Sequence, residues 1–235
     1  MNRRFKSTLL LQSLLSLTLL VSGSAQSPVP IEKEPRHRLK FENQYVRVFD
    51  VLIPAHETSL FHTHVHDGLS VRQTDARVRD EAVNGTFEDL TVKRGAVSFG
   101  YRPSQLTHRV SNIDSTPFHN IFVEVLPSAS VSPSAPLSEL LAGHTPLLEN
   151  ERVRVSRLVL APGQSTELHT HTLRGLGVSL SKARIAIEVP GKKVKIVKFK
   201  PGDTRWHDGG TNYTLRNVGS TTFEVVEIDL KSSRP

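Results

Sequence analysis

The chain has 235 residues, no cysteine and a formal net charge of +7 at pH 7. This length suits one large domain or two small ones. The lack of cysteine excludes disulfides, thiolate metal sites and cysteine nucleophiles, so a bound metal would need histidine or oxygen ligands.

The first 25 residues have the pattern of a secretory signal peptide. Arg3, Arg4 and Lys6 form a basic start, an apolar stretch follows at 9–21, and small residues stand at 23–25, where cleavage is expected. The pattern predicts export to the periplasm or the extracellular space. The alternative is an uncleaved membrane anchor, although the apolar stretch is short for a stable membrane span.

The rest of the chain repeats itself once, which is its strongest organisational signal. His62-Thr63-His64 returns 107 residues later as His169-Thr170-His171. Other pairs at the same offset are Val46 with Val153, Gly68 with Gly175, Ala76 with Ala183 and Gly95 with Gly202. After a two-residue contraction, Asn112 matches Asn217 and Phe118 matches Phe223. The repeat indicates two domains of the same fold.

The segment between the two copies is dense in serine and proline, which is typical of a linker. We expect a loose N-terminal arm at 26–37, a first domain at 38–127, a linker at 128–143 and a second domain at 144–231. Residues 144–235 carry 15 basic and 9 acidic side chains. This excess favours an anionic ligand or surface, or it is only a solvated strand face.

Each copy is predicted to consist of strands and turns. Apolar and β-branched residues are concentrated at 46–53, 118–126 and 223–230. Asn84-Gly85 is typical of a two-residue hairpin turn. Two such units of this size predict an all-β fold of two small sandwiches or barrels.

The histidines at alternate positions are the best candidates for chemistry. His62 and His64 would project from the same face of a strand and could grip one ion together. His108, in a second predicted strand, could supply the third imidazole. Neutral imidazole is a good ligand for transition metals. The alternative is that these histidines are ordinary surface residues.

The order of these motifs in both copies resembles the cupin superfamily. A turn at Pro54 followed by His62-Thr63-His64 is similar to its first motif, and Gly95 followed by His108 and Asn112 is similar to its second. The resemblance implies two tandem cupin-type double-stranded β-helix barrels of the jelly-roll kind. It also implies a divalent ion held by His62, His64 and His108, whose identity stays open among iron, manganese, zinc, nickel and copper.

Two departures from the cupin pattern bear on function. The glutamate of the first motif falls at Gly68 or Leu69, which cannot bind a metal, so Asp67 or His66 is a candidate substitute. In the second copy, Tyr213 takes the place of the third histidine beside His169 and His171. A phenol with a pKa of about 10 is a poor ligand at neutral pH. The second barrel is therefore expected to hold a weak site or an empty one.

The substrate pocket is expected beside the first histidine cluster. Its predicted wall consists of Arg72, Gln73, Phe99, Tyr101 and Arg102. Arginine there would suit an anionic small molecule, and nothing in the sequence favours nucleic-acid binding. Two functions stay open: a metal-dependent oxidoreductase or lyase acting on a small organic acid or phenolic compound, and a non-catalytic binding module of the cell envelope. A homodimer formed through sheet edges is also an open alternative.

Overall fold

The computed structural model describes residues 27–127 and 143–231. Within these ranges the regular elements are strands and one short 3-10 turn, Ile31–Lys33, and no helix there is long and apolar enough to cross a membrane. The predicted signal peptide at 1–25 lies outside the described residues, and so does nearly all of the predicted linker. The predicted all-β fold of two tandem barrels is confirmed.

The first barrel is built from two five-stranded sheets, in the orders β1-β4-β9-β6-β7 and β2-β3-β10-β5-β8. Its strands are β1 (Val29–Pro30), β2 (His37–Glu42), β3 (Val46–Ile53), β4 (His62–His64), β5 (Asp67–Arg72), β6 (Ala76–Ala82), β7 (Phe87–Val92), β8 (Val97–Gly100), β9 (Leu106–Asn112) and β10 (Phe118–Val125). Neighbouring strands are antiparallel, apart from the parallel pair of β1 and β4.

The second barrel repeats this topology without a counterpart of β1, with sheets in the orders β11-β12-β19-β14-β17 and β13-β18-β15-β16. Its strands are β11 (His144–Glu149), β12 (Val153–Leu160), β13 (His169–Thr170), β14 (Gly175–Ser179), β15 (Ala183–Glu188), β16 (Lys195–Phe199), β17 (Thr204–His207), β18 (Asn212–Asn217) and β19 (Phe223–Leu230). Gly95 and Gly202 occupy equivalent turns with φ of +78° and +80°. A side chain would be strained in that conformation, which explains why both copies have glycine there.

Residues 27–37 do not form the loose arm that the sequence suggested. Val29 pairs with His62 in the parallel β1–β4 ladder, and Ile31 is only 1% exposed in the core of the first barrel. Glu34 and His37 are buried as well. A two-residue strand has no periodicity to reveal it, and a single apolar residue among charged neighbours gives no pattern either.

Strand alternation divides the apolar side chains between three cores. Along β3, Val46 and Val48 point to one side, whereas Phe49, Val51 and Ile53 point into the first barrel. An equivalent cluster around Leu158, Ile185 and Phe223 fills the second barrel. Because alternate residues of a strand face opposite sides of a sheet, one strand can serve two cores.

The third core lies between the barrels and belongs to both. It contains Val46, Val48, Leu69, Val71, Ile121, Val123 and Val125 from the first barrel, and Val153, Val155, Leu176, Val178, Leu180, Val226, Ile228 and Leu230 from the second. Ion pairs also join the barrels, with 3.1 Å between Arg152 Nε and Asp67 Oδ2 and 2.8 Å between Arg94 Nη2 and Glu224 Oε2. The two barrels therefore pack sheet against sheet.

Candidate metal centres

His62, His64 and His108 converge inside the first barrel. β4 pairs with β9 so that His62 lies opposite His108, and alternation brings His64 to the same face. One nitrogen from each ring lies within 4.8 Å of the others, and His64 Nε2 is 3.0 Å from His108 Nε2. The structure thus brings together the three side chains that the sequence predicted.

Neighbouring groups orient two of these rings toward the centre of the cluster. His62 Nδ1 is 2.9 Å from the carbonyl oxygen of Leu60, and His108 Nδ1 is 2.7 Å from Asp80 Oδ1. These contacts occupy each Nδ1, so Nε2 is the ring nitrogen available as a ligand, and at His108 an ion would replace the contact with His64. His62 Nε2 is buried and has no hydrogen-bond partner within the described ranges, so the arrangement fits a bound cation.

Two of the three imidazoles, His62 and His64, are held in the neutral form that metal binding requires. Burial lowers the pKa of His62 to about 3, and it lowers the pKa of His64 well below its usual range. Nearby histidines oppose protonation further. At neutral pH these two imidazoles therefore keep their lone pairs available.

A cavity of about 230 Å³ adjoins the cluster, and Arg72, Phe99 and Arg102 line it together with the three histidines. Burial lowers the pKa of Arg72 to about 10, which still leaves its guanidinium charged at neutral pH. The Arg72 guanidinium carbon lies 5.5 Å from the ring centre of Phe118. The cavity therefore combines a cationic wall with an aromatic one.

Four residues of the predicted site do not line this cavity. Tyr101 is 44% exposed and donates a hydrogen bond to Glu151, while the amide of Gln73 turns back to the carbonyl of Val71. His66 and Asp67 line a separate groove that Arg152 of the second barrel also borders.

Both carboxylate oxygens of Asp67 contact other groups, so Asp67 does not take the metal-ligand position of the cupin glutamate. Its Oδ1 accepts a hydrogen bond from the backbone N–H of Arg102 at 2.7 Å, and its Oδ2 pairs with Arg152. It stands at the start of β5, where its side chain reaches the second barrel instead of the histidines. The metal-ligand role suggested for Asp67 or His66 is therefore corrected.

Glu34 and His37 are functional candidates that the sequence did not reveal. The His37 ring centre lies 4.4 Å from that of His62, and His37 Nδ1 is 2.6 Å from Glu34 Oε2. His37 also lines the cavity. Both residues belong to the segment interpreted as an arm. His37 begins β2 and pairs with Val51 of β3, and Glu34 accepts a hydrogen bond from the backbone N–H of Leu60.

The repeated asparagine of the second motif has a structural role. Asn112 is 1% exposed, and its side-chain N–H groups donate to the carbonyls of Ile53, Pro54 and Thr116. Asn217 makes the equivalent bonds to Leu160 and Thr221. The asparagines therefore close the same corner of each barrel and are not ligands.

The second barrel brings its histidines together differently from the prediction. The ring centres of His169 and Tyr213 lie 4.7 Å apart, yet the potential ligand atoms that lie within 4.8 Å of one another belong to His171, His207 and Asp229. Burial raises the pKa of Tyr213 above its ordinary value, so its phenol keeps its proton. His207, which stands outside the repeated His-Thr-His motif, lies in the cluster because β17 pairs with β14.

Comparison with known proteins identifies the fold. No family model matches the chain, and no curated protein matches it. Among solved structures, the Lactobacillus farciminis oxalate decarboxylase in its formate complex is 11% identical, with a TM-score of 0.56 and 84% of each chain covered. A Bacillus subtilis oxalate decarboxylase studied for its Mn(II) centres is 11% identical, with a TM-score of 0.54 over 82% of this chain and 71% of that one.

AerE from Microcystis aeruginosa is 10% identical to this chain, with a TM-score of 0.53, and the alignment covers 84% of this chain and 98% of AerE. At these identities the likeness concerns the fold, and it extends over both barrels. Together with the motifs and the repeated topology, it shows that the chain has the cupin fold twice in tandem.

Proposed function

We propose that this protein is an exported bicupin that binds a divalent transition metal through His62, His64 and His108 and transforms a small organic acid by oxidative or lyase-type chemistry. The observation that carries the proposal is the cavity in which three converging imidazoles lie beside a largely desolvated arginine, Arg72. A fold alone does not name a reaction, so the argument depends on this site.

In this proposal the arginines of the first barrel bind the substrate, and the histidines hold the ion. The guanidinium groups of Arg72 and Arg102 would bind and orient a carboxylate. Burial of Arg72 strengthens that attraction, because fewer water molecules compete for the charge. A bound divalent ion would supply a Lewis acid for an oxygen group of the substrate.

The size and charge of the cavity favour a small carboxylate. A volume of about 230 Å³ admits only a small molecule, and two arginines supply the positive charge. Two structural neighbours are oxalate decarboxylases, one in a formate complex and one described for its Mn(II) centres. Manganese, oxalate and formate are therefore the first probes to use.

Metal analysis tests the site directly. The purified protein is loaded with Mn²⁺, freed of excess ion, and its metal content is compared with that of a His62→Ala/His64→Ala variant. We expect the variant to hold about one ion fewer per chain, because two of three ligands are lost. His66→Ala is the matched control, since His66 lies in the same segment but outside the cluster. Equal metal content in the variant and the wild type would exclude the site.

A non-catalytic binding module is the second candidate, and the position of Asp67 favours it. Within the described ranges, no carboxylate joins the three histidines as a fourth close ligand. Turnover separates the two functions: oxalate consumed by the Mn²⁺-loaded protein, but not by His108→Ala, supports an enzyme. Saturable binding of oxalate or formate without consumption supports the module.

Export is proposed from the signal-peptide pattern of residues 1–25. We expect protein recovered from the periplasm of an expressing bacterium to begin at Gln26. Intact-mass measurement checks this start, and a mass that includes the first 25 residues would contradict cleavage.

A further inference from the structure

We infer that the second barrel holds its own metal ion at a site displaced from the repeated histidine motif, with His171, His207 and Asp229 as its ligands. Only His171 belongs to the motif. The site requires neither His169 nor Tyr213, and it does not depend on metal binding in the first barrel.

Three separate segments bring the ligands together. His171 follows β13, His207 ends β17 and Asp229 lies in β19, and their potential ligand atoms all lie within 4.8 Å of one another. The ring centres of His171 and His207 are 4.6 Å apart. His171 Nδ1 is 3.3 Å from Asp229 Oδ1, which is long for a charge-assisted hydrogen bond. A cation between His171 and Asp229 would accept the lone pairs of both groups, and it would bind them more strongly than this long contact does.

His207 gives independent evidence for a ligand. Both of its ring nitrogens are buried, and neither has a hydrogen-bond partner in the part of the chain that the structure describes. Leaving a buried polar atom without a hydrogen-bond partner costs stability. A bound cation would satisfy one nitrogen and remove part of that cost.

Comparison of the barrels shows how space for His207 arises. In the first barrel, the Phe122 ring occupies the space beside Gly68 and lies edge-on to His64, with ring centres 4.8 Å apart. In the second barrel, Glu227 takes the place of Phe122, and the His207 ring lies beside Gly175, the counterpart of Gly68. A Cβ at Gly175 would stand only 2.8 Å from His207 Nε2. Glycine therefore allows the imidazole to approach His171.

Asp229 also has a different neighbour from its counterpart in the first barrel. That counterpart, Glu124, is paired with Arg47 at 2.5 Å. Asp229 instead contacts a histidine of the cluster, with 3.3 Å between its Oδ1 and His171 Nδ1.

Two imidazoles and one carboxylate form a donor set suited to zinc or iron with open coordination positions. The adjoining cavity has a volume of about 300 Å³, and its walls include Ile185, Phe199, Leu215 and Val225. Because these walls are mainly apolar, the second site would face a different kind of molecule from the arginine-lined first site.

The test uses Co²⁺ alone as the probe, in the full chain with the first site removed by His62→Ala/His64→Ala. Calorimetric titration and visible absorption then follow Co²⁺ binding to the remaining site. We expect one equivalent to bind, and His207→Gln or Asp229→Asn to weaken its binding at least tenfold. His169→Gln should change the affinity less than twofold, because His169 lies outside the cluster.

Two results would overturn the inference. Co²⁺ binding that is absent from the background protein would exclude the site. Binding lost in His169→Gln but retained in His207→Gln would assign the ion to the repeated motif. Circular dichroism checks the fold of each variant, and the nearly isosteric Asp229→Asn decides the matter if His207→Gln fails to fold.

Discussion

The direction in which each imidazole points depends on what its other ring nitrogen contacts. In the first barrel, Asp80 holds His108 through Nδ1, and the carbonyl of Leu60 holds His62. These partners fix which nitrogen is free, and the carboxylate also makes its imidazole a stronger ligand. Asp80 is therefore a positioning residue for the metal site.

We expect Asp80→Ala to weaken metal binding by the first site by about 10–100-fold, since the orientation of His108 is lost. Isothermal titration with Mn²⁺ measures the effect. Asp89→Ala is the control, because Asp89 is a carboxylate on the neighbouring strand that pairs with Arg79 at the surface. If both variants bind equally tightly, Asp80 does not position the ligand.

Residue patterns predicted one histidine cluster and not the other. His62 and His64 alternate along one strand, and His108 stands at a recognisable motif position. His207 and Asp229 have no such relation to His171 in the sequence. Their proximity depends on the pairing of β17 with β14 and of β14 with β19, which only the folded chain establishes.

At the level of elements, the N-terminal segment completes the first barrel. Its parallel pairing with β4 supports the strand that carries His62 and His64, while Ile31 closes the core beneath. Sequence periodicity identified the long strands because alternation over eight residues is a strong signal. It could not identify β1, which has two residues and is specified by tertiary packing alone.

We expect Ile31→Ala to lower the free energy of unfolding by about 2–5 kcal/mol, because it opens a cavity in a closed core. Denaturant titration followed by circular dichroism measures this loss. Leu39→Ala, at a position that is 48% exposed, should change stability by less than about 0.5 kcal/mol. Equal effects of the two substitutions would mean that residues 27–37 do not contribute to the core.

At the level of the whole molecule, the two barrels share one apolar core. The repeat in the sequence predicted two units and their all-β class. It did not predict their packing. An apolar strand face such as that of Val46 and Val48 has the same sequence pattern whether it packs inside a barrel or against a second barrel. Contacts such as that between Arg152 and Asp67 add to this interface.

We expect both barrels to unfold in a single cooperative transition, since loss of either one exposes the shared core of the other. Differential scanning calorimetry should show one peak whose calorimetric and van't Hoff enthalpies agree. Val123→Ala, in the shared core, should shift that whole peak to lower temperature. Two resolved peaks would contradict this coupling.

The shared core also has a consequence for how the two sites could diverge. In a symmetric dimer of identical subunits, every substitution appears twice and must suit both sides of the interface. Joining the barrels in one chain removes that constraint, and it also makes their pairing independent of dilution because each barrel is tethered to the other. The first barrel can therefore have glycine at position 100 while the second has His207 at the equivalent position. A single chain thus carries two different sites on one scaffold.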